Sequence, residues 1–184
     1  VLESVKTGSV AYELLRPAGL YSMWMARALA GRLARAALRM VPVLLVSSLI
    51  PAPWGLRLQG SPAVFGLFLL SMVLMVLVVC AYSLLIYALT FYVTDPNGLM
   101  VLSVAAADLL GGAIVPLPFL PDGLRQAAAL SPFGSMQNVP LRIFNGDIPL
   151  PEIPAVMGLQ IFWILALVTA GYFLTRNGLR RAVI

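Results

Sequence analysis

Asp95 and Asp108 are the acidic residues whose type best suits paired acid and base work, yet they stand thirteen residues apart on opposite sides of a turn. No third partner lies within sequence reach. The chain has no His and one cysteine, Cys80, set among apolar neighbours. That composition removes the commonest general base, most zinc-site designs and any internal disulfide. No Gly-x-x-x-x-Gly-Lys-Ser/Thr loop occurs, so the chain has no phosphate-cradling loop for ATP. Chemistry by this chain alone is therefore not expected, and Cys80 reads as inert packing. Asp108 itself, an ionisable group in an apolar stretch, is either part of a pathway or the partner of Arg35 or Arg39. Met72, Met75 and Met100 fit filler better than a pliable substrate surface. Trp24, Trp54 and Trp163 read as interfacial or packing residues.

The elements that carry these residues belong in lipid. Of 184 residues, 61% are hydrophobic and 10% are charged, with 12 Lys+Arg against 7 Asp+Glu, too little polar surface to coat a soluble ball. Between Arg57 and Asp95 no charged residue occurs, and 63–93 is expected to span a membrane. Asp95-Pro96-Asn97-Gly98 is expected to stop that helix and turn the chain, because Pro96 cannot continue a helix and Asn-Gly favours a tight turn. The return span, 99–118, carries Asp108 and Gly111-Gly112, so it is expected between helices rather than against lipid. A further span is expected over 154–175, anchored by Arg180-Arg181. Over 21–50, four arginines at 27, 32, 35 and 39 fall within an arc of roughly 140° at 100° per residue. That segment is expected to begin in the interface, to enter the bilayer near Ala37 and to kink at Pro42.

Four spans place both ends on one side. Lys6, Arg16, the four arginines of 21–50, Arg176, Arg180 and Arg181 all fall there, which makes that side cytoplasmic. The formal net charge of +5 thus reflects membrane topology and not a nucleic-acid surface.

Two polar segments have structure of their own. Within residues 1–20, Val5 to Pro17 reads as an amphipathic helix with Ser9 as N-cap. It either rests on lipid headgroups or docks a soluble partner, and Glu13 beside Arg16 favours docking. The second segment follows Gly111-Gly112, where Pro116, Pro118 and Pro121 cannot share one regular helix. A short helix from Asp122 to Leu130 is expected, with Asp122 as its cap and Pro132 beyond it. Residues 119–153 then form either a re-entrant piece packed against other spans or a plain outer loop.

These motifs resemble a known family. Gly8-Ser-Val-Ala-Tyr12-Glu13-Leu14-Leu-Arg16-Pro17, the Gly-Gly-x-x-x-Pro-x-Pro stretch and Pro140-Leu-Arg142-Ile143-Phe-Asn-Gly146 are similar to permease subunits of type-2 ATP-binding-cassette (ABC) transporters, exporter-like class. The resemblance covers the whole chain. It implies an all-α polytopic membrane protein: a six-helix permease fold of which four helices are visible, with an N-terminal coupling helix and a broken re-entrant outer segment. The two missing helices would precede Val1. It further implies a bacterial cytoplasmic membrane, a separate ATPase subunit that holds ATP and Mg, and a second permease, identical or different. Tyr12, Glu13, Leu14 and Arg16 would couple to the ATPase, and Gly111, Gly112, Pro116, Pro118 and Pro121 would form an outer gate. No cofactor or metal on this chain itself is implied. A secondary transporter or a non-transporting membrane subunit remains the alternative, and nothing along Leu99 to Pro121 selects a substrate.

Overall fold

A computed structural model describes residues 19–49, 61–93 and 95–182, and among these residues there are six α-helices and no strand. The segment Val5 to Pro17, with Tyr12, Glu13, Leu14 and Arg16, lies outside the described residues, as does Trp54. The helices are α1 (Leu20–Leu49), α2 (Pro62–Leu89), α3 (Pro96–Leu110), α4 (Asp122–Leu130), α5 (Asn138–Asn145) and α6 (Ile153–Ala182), with single 3-10 turns at Leu117–Phe119 and Leu150–Glu152.

Helix α2 starts where Ser61 accepts a hydrogen bond from the Val64 amide at 3.4 Å and Pro62 stands in the first turn. Its 28 residues reach about 42 Å, and it is long and apolar enough to cross a membrane, as is α6. Helix α1 is equally long, but its four arginines make it less apolar, and it runs on through Pro42 to Leu49.

The turn expected at Asp95-Pro96-Asn97-Gly98 is instead a helix start. The Asp95 carboxylate accepts from the Asn97 amide at 2.9 Å, and Pro96 fills the first helical position, where its missing N–H costs nothing. Asn97-Gly98 therefore lies inside α3. This helix has only 15 residues, about 22 Å, less than the hydrocarbon thickness. It ends at Leu110, well short of the expected 118, with Gly111 as its C-cap.

Contacts fix the helix directions. Ser71 meets Gln160, Val78 and Ala81 cluster with Leu167, and Phe91 abuts Gly178, so α2 and α6 run parallel. Helix α1 runs against both: Trp24 stacks on Phe91 with ring centroids 6.3 Å apart, while Arg32 further along donates to the Ser83 hydroxyl. Helix α3 returns beside α2, where the Tyr82 hydroxyl donates to the Ser103 carbonyl at 3.0 Å. Because α2 and α6 are parallel, the chain between them must travel back along the bundle.

The buried seam of α6 is Ile153, Met157, Gln160, Leu167, Gly171, Thr175 and Gly178, spaced by threes, fours and one seven as one helix face requires. Phe162, Leu165 and Phe173 on its other side are exposed, as are Val101, Leu102 and Val104 on α3. Such an apolar exterior suits lipid as solvent. Trp24 is fully buried.

Candidate functional site

The two ends of the bundle differ, and the functional features gather at the end where α2 and α6 begin. From Gly111 the chain turns, with Gly112 at φ 85°, a left-handed conformation that glycine adopts without strain. The 3-10 turn and α4 follow. Pro121 is the N-cap of α4 and makes no side-chain hydrogen bond. Asp122, expected as the cap, is instead its first helical residue, and its carboxylate pairs with Arg125 one turn on at 2.6 Å. A carboxylate in the first turn still favours the helix dipole.

Residues 131–137 then turn the chain, and this turn lies deep. Met136 packs with Val78, Ala81 and Leu167, and Phe133 meets Tyr82 edge-on at 5.3 Å. The Trp163 indole N–H, ten residues into α6 and so about 15 Å from its start, donates to the Leu130 carbonyl at 2.9 Å. Gly134 permits the turn: a Cβ there would sit 2.4 Å from the Ala128 carbonyl oxygen and 2.8 Å from Ala129 Cα. Helix α5 then climbs back. Its Val139 and Ile143 join Ile148, Ile153 and Met157 against Val64, Leu67 and Phe68 of α2, and Gly146 ends it in the left-handed conformation at φ 79°. Thus α4, the turn and α5 form an in-and-out hairpin beside α2 and α6.

A buried amide holds this hairpin. Gln160 is fully buried. Its Nε2 donates to the Ser135 carbonyl at 2.9 Å and to the Ser71 carbonyl at 3.4 Å, while its Oε1 accepts from the Ser71 hydroxyl at 3.1 Å. Every polar atom of the Gln160 amide is engaged, as an amide away from water requires. Sequence reasoning missed Gln160; the available signal was a lone carboxamide in an otherwise apolar span.

A cleft of about 730 Å³ opens between α4, α5 and the end of α3. Of the expected gate residues, Gly111, Gly112 and Pro116 line it together with Leu117; Pro121 stands before α4, outside the lining, and Pro118 lies within the 3-10 turn. The lining also holds Arg125, Gln126 and Ala129 of α4 and Gln137, Asn138, Leu141, Arg142, Asn145 and Asp147. Asn138, Leu141, Arg142 and Asn145 recur at i, i+3, i+4 and i+7, so they form one face of α5, opposite its buried Val139 and Ile143. That periodicity could have found them. Asp108 is exposed on α3, and its carbonyl accepts from the amides of Ala113 and Ile114; no ion pair with Arg35 or Arg39 exists among the described residues.

At the opposite end, Trp24, Tyr21 and Leu84 form a closed apolar cluster with Phe91 and Val168. A hollow of about 350 Å³ there is lined by Gly19, Leu20, Tyr21, Ser22, Tyr172, Thr175, Arg176 and Leu179.

No curated protein and no solved structure matches the chain. The family described as ABC-2 family transporter protein matches residues 1–183. A bundle with two long apolar helices, an apolar exterior and a polar cleft at one end is what a membrane transport component needs. The chain belongs to the ABC-2 transporter family, whose members are integral membrane components of ABC transporters and not their catalytic subunits.

Proposed function

We propose that this chain is the permease subunit of an exporter: α1, α2, α3 and α6 cross or enter the bilayer with both visible ends cytoplasmic, and the α4–α5 hairpin is a re-entrant gate at the outer face. The observation that carries this reading is the hairpin itself, a turn packed about 15 Å along α6 and fastened by Gln160. Irregular backbone at that depth is tolerated only where protein or water surrounds it, as around a pathway. The positive-inside bias and the parallel run of α2 and α6 support the topology.

A separate ATPase subunit, carrying ATP and Mg, supplies the energy, and a second permease completes the pathway. Residues Tyr12, Glu13, Leu14 and Arg16 dock the ATPase. Closure of the ATPases then shifts α1 against α2 and α6, which move the hairpin through Gln160 and Trp163. Substrate leaves through the cleft above Gly111 and Gly112.

The test is purification of the full-length protein from its own membranes in mild detergent, with identification of bound chains and an ATPase assay with and without vanadate. A stoichiometric ATPase with vanadate-sensitive turnover is expected; a clean permease with no ATPase overturns the reading. In the assembled transporter, Glu13→Arg should leave insertion intact and uncouple ATP hydrolysis from transport. Unchanged coupling would remove residues 12–16 from the docking role.

A further inference from the structure

The cleft between α4 and α5 has a charge pattern of its own. Arg125 is engaged by Asp122, which leaves Arg142 and Asp147 as one cation and one anion lining the same hollow. The two do not pair with each other, and neither side chain has a hydrogen-bond partner among the described residues. The carboxamides of Asn138 and Asn145 flank Arg142 on the same face of α5, and these too make no side-chain bond among the described residues. Among the lining residues Leu141 is a large apolar side chain left exposed on the same face of α5, and the turn and 3-10 segment that carry Gly112, Pro116 and Leu117 of the lining also expose Ile114 and Phe119. A ligand that satisfies both surfaces carries a compact zwitterion at one end and hydrocarbon at the other.

We propose that this cleft binds the phosphoethanolamine headgroup of a phospholipid, the phosphate on Arg142 and the primary ammonium on Asp147. A guanidinium suits a phosphate through two parallel N–H donors, and the carboxylate accepts from an ammonium that has hydrogens to give. A choline headgroup lacks those hydrogens, and a glycerol headgroup lacks the cation. The cleft therefore discriminates among phospholipids by the head alone. The assignment deepens the exporter reading by giving its exit cleft a ligand class, but its test does not depend on an ATPase.

The full-length protein, with the chains that purify with it, is stripped of lipid and titrated with phosphatidylethanolamine, phosphatidylcholine or phosphatidylglycerol in mixed micelles. Bound lipid is counted by native mass spectrometry. Phosphatidylethanolamine should bind about tenfold more tightly than either other lipid. Arg142→Gln should weaken its binding about tenfold, with partial recovery in Arg142→Lys; Asp147→Asn should abolish the preference for ethanolamine over glycerol while retaining phosphate binding. Both positions are exposed, so the variants should melt like the parent, and that is checked alongside. Soluble phosphoethanolamine that competes at equal concentration would keep the chemistry and assign it to a free compound. Equal binding of the three lipids, or variants that bind like the parent, overturns the proposal.

Discussion

The two ends of the bundle are held together by different physics. At the closed end, aromatic rings and glycines meet directly: Trp24 stacks on Phe91, Phe91 fills the space over Gly178, and the Tyr21 hydroxyl lies where a Cβ on Gly171 would come within 2.9 Å. Contact around Trp24 is mainly apolar. At the broken end, α3 stops early, glycine-dependent turns replace regular helix, and the Gln160 amide and the Trp163 indole add hydrogen bonds to the apolar packing that ties the hairpin to the long helices. Lipid tails are as apolar as leucine, so close packing and internal hydrogen bonds, not water exclusion, must hold a membrane bundle. The closed end relies mainly on packing, and the broken end adds buried hydrogen bonds to it.

The contrast predicts unequal responses to mutation. Trp24→Ala empties the closed end and should cost about 3 kcal/mol, read as a fall in unfolding free energy by denaturant titration in mixed micelles. Lipid binding at the cleft should survive it under native conditions; its loss would mean the two ends are one cooperative unit. Gly134→Ala drives a methyl into the Ala128 carbonyl and the Ala129 backbone, neither of which is a flexible side chain. It should cost about 2 kcal/mol and impair ligand binding at the cleft more than Trp24→Ala does, measured on the same two assays. Gln160→Met keeps the volume and removes the hydrogen bonds. About 1 kcal/mol is expected, with faster hydrogen exchange at 131–137 and little change around Trp24. Uniform exchange across both ends would refute the idea of a local tie. The smallest effect has the opposite sign: a Cβ on Gly123 meets nothing within 4 Å, and the residue lies inside α4. Gly123→Ala should stabilise by about 0.5 kcal/mol, seen as a slightly raised melting temperature.

The long apolar helices were legible in the sequence, because an uncharged run such as 63–93 states its own preference for lipid, whereas the contacts of the closed end were not. The helix that forms, Pro62–Leu89, differs mainly at its last turn, where Thr90 caps it. The misreadings came from residues with two local uses. Asp95-Pro96 is a stop for one helix and a start for the next, and composition alone does not decide whether Asn97-Gly98 turns or continues. Asp122 suits an N-cap and a first turn equally, and Pro121 before it took the cap. At the cleft, Gly111, Gly112 and Pro116 stood out as breakers, whereas Arg142 and Asn145 entered only as part of a family-like stretch until α5 gave them a shared face, and Asp147 beyond the end of α5 carried no signal of its own. The depth of the 131–137 turn was out of reach, since it depends on contacts with α2 and α6 far along the chain.

One property of the Gln160 tie bears on how this protein can vary. Its partner on the hairpin is the main-chain carbonyl of Ser135, not the serine hydroxyl. Every amino acid offers that same oxygen, so position 135 is free, as far as this bond is concerned, to accept whatever small residue the buried space admits. The side-chain half of this one bond is written into a single codon, that of residue 160. A change of side chain at position 135 leaves this bond in place, whereas one change at position 160 removes it.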